Sequence, residues 1–136
     1  MHPKPIATLA VVSLTGALLV AGCGSSSKPT YCTNVDNLKK SIKALPSTNV
    51  VQNGVSSLES AVTKVASDTQ AVVSSAKSEF SSETTALKNS VQTLSATAKQ
   101  AVNSPSAATL AQIPGQVSAV VTAAKSLGSA VSSKCS

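Results

Sequence analysis

Along most of this chain, apolar residues recur at the three- and four-residue spacing of one helix face. Val35, Leu38, Ile42 and Leu45 mark a first helix. Asp36 precedes Lys39 and Lys40 in the orientation that favours side-chain pairing on a helix. Pro46 predicts its end, because a proline has no N–H to donate. A polar connector runs through Asn53-Gly54, and a second stripe follows at Leu58, Val62, Val65, Thr69, Val72 and Ala76. Ser56 and Glu59 have the spacing of a capping box, with Ser56 as the N-cap.

Between Val55 and Asn103 there is neither Gly nor Pro, so one continuous helix competes with two. The phase of the stripe argues for two. Continued unchanged, it would carry Glu79, Glu83, Ala86, Ser90, Thr93 and Thr97, nearly all polar, into the core, whereas the apolar residues fall one position later, at Phe80, Leu87, Val91, Leu94, Ala98 and Ala101. A turn is therefore expected near Ser78–Ser82, where serines compete with helix and favour caps. The third helix then covers about 82–103. Ser104 as N-cap and Pro105 at the first position predict a short extra helix, interrupted by Pro114-Gly115. A last long helix carries Val117, Val120, Ala124, Leu127 and Val131 and runs to about Lys134. No strand alternation with hairpin turns competes. The expected fold is all-α: an up-down four-helix bundle with a short extra helix between the third and fourth long helices.

The N-terminus follows a different pattern. Lys4 gives a positive start, Ile6 to about Val20 is almost wholly apolar, and Leu19-Val20-Ala21-Gly22-Cys23 follows. This is the order of a secretory signal. The last four residues resemble the lipobox of bacterial lipoproteins. That resemblance implies cleavage before Cys23 and a thioether-linked diacylglycerol on its sulfur. The competing reading is a membrane span with Cys23 an ordinary thiol. The apolar run, about 17 residues, is at the short limit for a span, and no positive residue follows it directly. Two acyl chains, at ~0.8 kcal/mol per buried methylene, would hold the protein on a bilayer. The expected division is 1–22 signal peptide, 23–31 lipidated tether and 32–136 folded body. The Gly24–Tyr31 stretch is Ser-rich and spans at most about 27 Å.

With Cys23 lipidated, Cys32 and Cys135 remain, an even pair in an exported chain where oxidation is permitted. A bond between them would close a loop of about 100 residues and stabilise the fold by ~4 to 5 kcal/mol. Two free thiols are the alternative. The pairing also supports the helix count: the first helix starts beside Cys32 and the last ends beside Cys135, so an even number of alternating helices brings the ends together.

Composition narrows the function. All eleven cationic residues are Lys, five residues are acidic, and the net charge is +6. Aromatics are 1 %, and the single His is His2, in the expected leader. Without Arg, and without His after the leader, a Ser-His-Asp triad, a Cys-His dyad, a His-ligated metal and an arginine clamp are excluded. Ser74-Ser75-Ala76-Lys77 matches the Ser-x-x-Lys of β-lactamases, but its companion motifs are absent and chance explains it in so Ser-rich a chain. Glu79 and Glu83 would share a face only if the turn between them were helical. Tyr31 is placed to cover the cysteine pair, and Phe80 to plug one end of the core. Lys64, Lys77, Lys88, Lys99 and Lys125 lie off the apolar stripes, as a solubilising face or as a surface adhering to anionic lipid or cell-wall polymer. Nucleic acid is not an expected partner, for want of Arg and stacking aromatics.

The layout of Cys32, Ser104-Pro105-Ser106 and Cys135 among Ala/Ser/Val-rich helices resembles small exported lipoproteins of actinobacteria. The resemblance implies a helical fold and a membrane location and supplies no catalytic residues. The expectation is a lipoprotein anchored on the extracytoplasmic face of the cell membrane, working without a catalytic centre, metal or cofactor. Its partners would be membrane lipid through the anchor and an envelope protein or cell-wall polymer. A carrier of a small ligand or lipid is the second expectation; it would need a cavity lined by Val, Leu and Ala.

Overall fold

The computed structural model describes residues 28–47 and 54–136. These residues form helices α1 (Thr30–Ser47), α2 (Val55–Ala76), α3 (Ser81–Asn103) and α4 (Ala107–Cys135), with no strand among them. The expected signal peptide, the lipidation site Cys23 and most of the tether lie outside the described residues. The tether is shorter than expected, since Thr30 and Tyr31 already belong to α1.

The stripes bury as their phases require. On α1, Val35, Leu38, Ile42 and Leu45 are buried, and on α2 all six expected positions are, from Leu58 to Ala76. The α2–α3 turn falls over Lys77–Phe80, and α3 buries Leu87, Val91, Leu94, Ala98 and Ala101. Two further residues on α3, Thr84 and Thr97, are buried although polar. Thr84 manages this by donating its hydroxyl back to the Phe80 carbonyl at 2.8 Å. Six leucines (38, 45, 58, 87, 94 and 127) anchor the core, each contributing roughly 1.5–3 kcal/mol by burial. Valines and alanines fill the rest and let the helices approach closely.

Three local expectations are corrected. The short extra helix is absent: Ser106, not Ser104, caps α4 by accepting the Thr109 N–H at 3.1 Å, and the helix then runs unbroken through Pro114. Continuity of burial explains this. Thr109, Ile113, Val120, Ala124, Leu127 and Val131 are buried on one stripe that includes half-buried Val117, so breaking the helix at Pro114 would rotate half of it out of the core. The α2 start is corrected too. Gly54 is the N-cap at φ 78°, a left-handed conformation that suits glycine, and Ser56 lies inside the helix without capping it. Instead Ser57 donates to the Gly54 carbonyl at 2.9 Å. Finally, α1 continues one residue past Pro46, to Ser47.

Each helix packs against two others: α1 on α2, α2 on α3, α3 on α4, and α4 back on α1, the last with the sparsest contact. Across the α1–α2 seam, Asn34 Nδ2 donates to the Ala71 carbonyl at 3.2 Å and to Ser75 Oγ at 2.9 Å, and Ser41 donates to the Asp68 carboxylate. At the open end of α1, the Tyr31 ring meets Phe80 edge-on, with centroids 5.5 Å apart.

Candidate functional site

Two regions hold the residues that sequence reasoning singled out. One is the end of the body where α1 begins. Cys32 and Cys135 stand at disulfide distance there, S–S 2.06 Å and Cα–Cα 5.6 Å. Tyr31, buried beside them, donates its hydroxyl to Glu79 Oε2 at 3.4 Å. Burial raises the Tyr31 pKa above its ordinary 10.0, and the negative charge and hydrogen bond of Glu79 push the same way. These contacts clamp the start of α1 onto the α2–α3 turn and the end of α4. They form a structural joint.

The acidic residues do not assemble. Glu79 sits exposed in the turn while Glu83 lies in the first turn of α3, so the two carboxylates are not neighbours on one helix. Among the described residues no three of His, Cys, Asp and Glu gather where a metal ion could be held. Ser74 and Lys77 of the Ser-x-x-Lys match are both exposed, Ser74 on the last turn of α2 and Lys77 just beyond it.

The lysines are distributed unequally. Lys64 faces Asp68 at 3.6 Å, and Lys39 faces Asp36 at 3.7 Å, both near the surface. Lys125 joins Lys39 and Lys43 around a cleft of about 240 Å³ between α1 and α4, floored by Ile42, Val121 and Ala124. Further clefts follow the α2–α3 seam. Two of them, about 380 and 590 Å³, share Gln70 and Lys88 and so adjoin each other, together making the α2–α3 groove. Lys99 stands toward one end of it, Lys77 toward the other, and Lys88 between them. No carboxylate lines the groove, and none of the three lysines forms an ion pair among the described residues.

Local sequence accounts for this groove. Lys88 and Lys99 are eleven residues apart on α3, which is three turns, so they share a face about 16 Å apart along the axis. Ala66, Ala96 and Ser95 keep the floor shallow, and Gln70 and Gln92 supply amide groups. Thr69 is buried at the floor with its hydroxyl unpartnered. The lysine positions were legible in the sequence. Their convergence was not, because it depends on which faces of α2 and α3 meet.

Comparison with protein-family models, with curated proteins and with solved structures finds no match to this chain. No helix among the described residues is long and apolar enough to cross a membrane.

Proposed function

We propose that the protein is a lipoprotein of the extracytoplasmic membrane face, anchored by diacylglycerol on Cys23, and that its body is a non-enzymatic structural or protein-interaction module. In this reading residues 1–22 are the signal peptide and the body is an up-down four-helix bundle tied by a Cys32–Cys135 disulfide. The pairs Tyr31–Glu79, Asn34–Ser75 and Ser41–Asp68 support the alternating course, since one chain position rises as the other falls. Cys32–Cys135 and the approach of Lys39 to Gly128 support the same for α1 and α4.

The observation that carries the reading is where the chain enters the body. Lys28 lies in one cleft with Cys32 and Cys135. The stretch from Cys23 to Lys28 reaches at most about 18 Å, so the cysteine end of the body is held close to the bilayer. The helices, about 34 Å long for α3, then project away from it and present their long faces to the envelope. The packed interior favours a module over a carrier. Leu58, Leu87, Leu94, Leu127, Val62 and Val65 are at most 2 % exposed, and the clefts described all open to solvent.

Metabolic labelling with a fatty acid tests the anchor. The wild type takes up label and fractionates with membranes, and Cys23→Ala is released or misprocessed. Absence of label from a wild type whose leader is still cleaved overturns the reading.

A further inference from the structure

We propose that the α2–α3 groove binds a linear phosphate-bearing polymer, held by Lys77, Lys88 and Lys99. The inference deepens the envelope-module reading by naming the partner's chemistry; it relies on that reading only for where the polymer is met.

Charge is the first argument. The three ammonium groups are exposed, unpaired and unopposed by any carboxylate in the groove lining, unlike Lys39 and Lys64, which have acidic neighbours. Such a groove attracts anions and repels nothing that carries them. Its shape is the second argument. The lysines line two adjoining clefts rather than one point, with the backbone positions of Lys88 and Lys99 about 16 Å apart along α3. A single phosphate would leave part of this charge unmatched, since the three ammonium groups are spread over both clefts. A chain with a charge at every repeat satisfies all three together. The donor type is the third argument. A lysine is a compact point charge that binds phosphate without the two-pronged geometry of arginine, and so reads charge density rather than the orientation of one group. Gln70, Gln92 and Ser95 add hydrogen-bonding groups for the neutral parts of a repeat.

Two other partners fit less well. A nucleic acid would use stacking platforms, but Tyr31 and Phe80 pack on each other at the joint and line neither cleft. A bilayer surface would use large apolar side chains at the rim. Val91 is buried and Val73 half-buried, and the remaining lining is small or polar. The groove also follows the helix axes, which an anchor at the cysteine end directs away from the bilayer.

The test uses the full chain as it is purified from its host, in detergent micelles, with inorganic polyphosphate of long chain length as probe. Lys77→Gln/Lys88→Gln/Lys99→Gln is compared with Lys39→Gln/Lys43→Gln/Lys125→Gln, which removes the same charge from the α1–α4 face. Affinity for a linear polyanion scales with salt concentration to about the power −0.7 per contact, so losing three contacts weakens binding about a hundredfold near 0.1 M salt. That loss is expected in the groove variant alone, with the α1–α4 variant near wild type and both retaining wild-type far-UV circular dichroism. Equal losses in the two variants, no binding by the wild type, or groove-dependent binding to phosphatidylglycerol vesicles with none to polyphosphate would each overturn the proposal. Because binding is measured on purified protein, its failure is separate from a failure of fatty-acid labelling.

Discussion

Pro114 is the residue whose replacement bears most directly on the architecture. It lies exposed inside α4, which continues on both sides of it. Its nitrogen carries no hydrogen, so the Leu110 carbonyl loses the donor that a helix would supply, and its ring crowds that carbonyl. Proline in a helix interior is about 3 kcal/mol less favourable than alanine. Exposure and the neighbouring glycine relieve part of the crowding, and Pro114→Ala should stabilise the body by ~2 kcal/mol. Gly115 is also exposed, and a Cβ built there meets nothing within 4 Å. Gly115→Ala should therefore add ~1 kcal/mol. Unfolding entropy near 2.1 cal/mol/K per residue gives roughly 0.23 kcal/mol/K for a body of this size, so the double variant should melt about 13 °C higher. Urea unfolding of the unlipidated body, followed by far-UV circular dichroism, should show a raised midpoint with an unchanged slope. A neutral or destabilising effect would refute the reasoning. It would mean that proline and glycine serve a real break, with two helices where the structure has one.

Replacing Cys32 and Cys135 together by Ala should lower stability under oxidising conditions by ~4 to 5 kcal/mol, given a sequence separation of 103; two alkylatable thiols in the native unreduced protein would count against the bond. Tyr31 should make the fold alkali-sensitive. Its folded pKa is raised, so the unfolded chain loses the phenolic proton first, and stability present below pH 10.0 declines as pH climbs above it. Tyr31→Phe should flatten that part of the pH profile in urea titrations, and an unchanged profile would assign the decline to other groups. Thr69→Val keeps the side-chain shape and removes a buried hydroxyl with no partner, so a gain of ~1 kcal/mol is expected in the same titrations.

The stripes of α1, α2 and α3 were legible because burial obeys a single period over about three turns from Val35 to Leu45 and about five from Leu58 to Ala76. The one-residue slip near Phe80 located the turn for the same reason. The errors came where a local rule competed with that period. Pro114-Gly115 reads locally as a break, yet Ile113, Val117 and Val120 keep the phase across it, and burial of the whole stripe prevails. Ser56 reads as a cap, yet the backbone turns at Gly54, the one residue there able to hold a positive φ cheaply. The groove was beyond reach of a one-dimensional reading. Lys77 follows α2 while Lys88 and Lys99 ride on α3, and only the pairing of those helices puts them along one seam.

The joint between Cys32 and Cys135 also decides how the molecule responds to mechanical load. With a disulfide at this joint, a pull between a lipid anchor at Cys23 and Ser136 would pass through the two sulfurs and bypass the helical body between them. The polypeptide between them would remain slack and folded until a covalent bond failed. A pull on the α2–α3 groove has no such bypass, because its route to the anchor runs through the packed seams and the α2–α3 turn. A particle bound there would tug on the least covalently protected part of the body, and detachment would compete directly with unfolding.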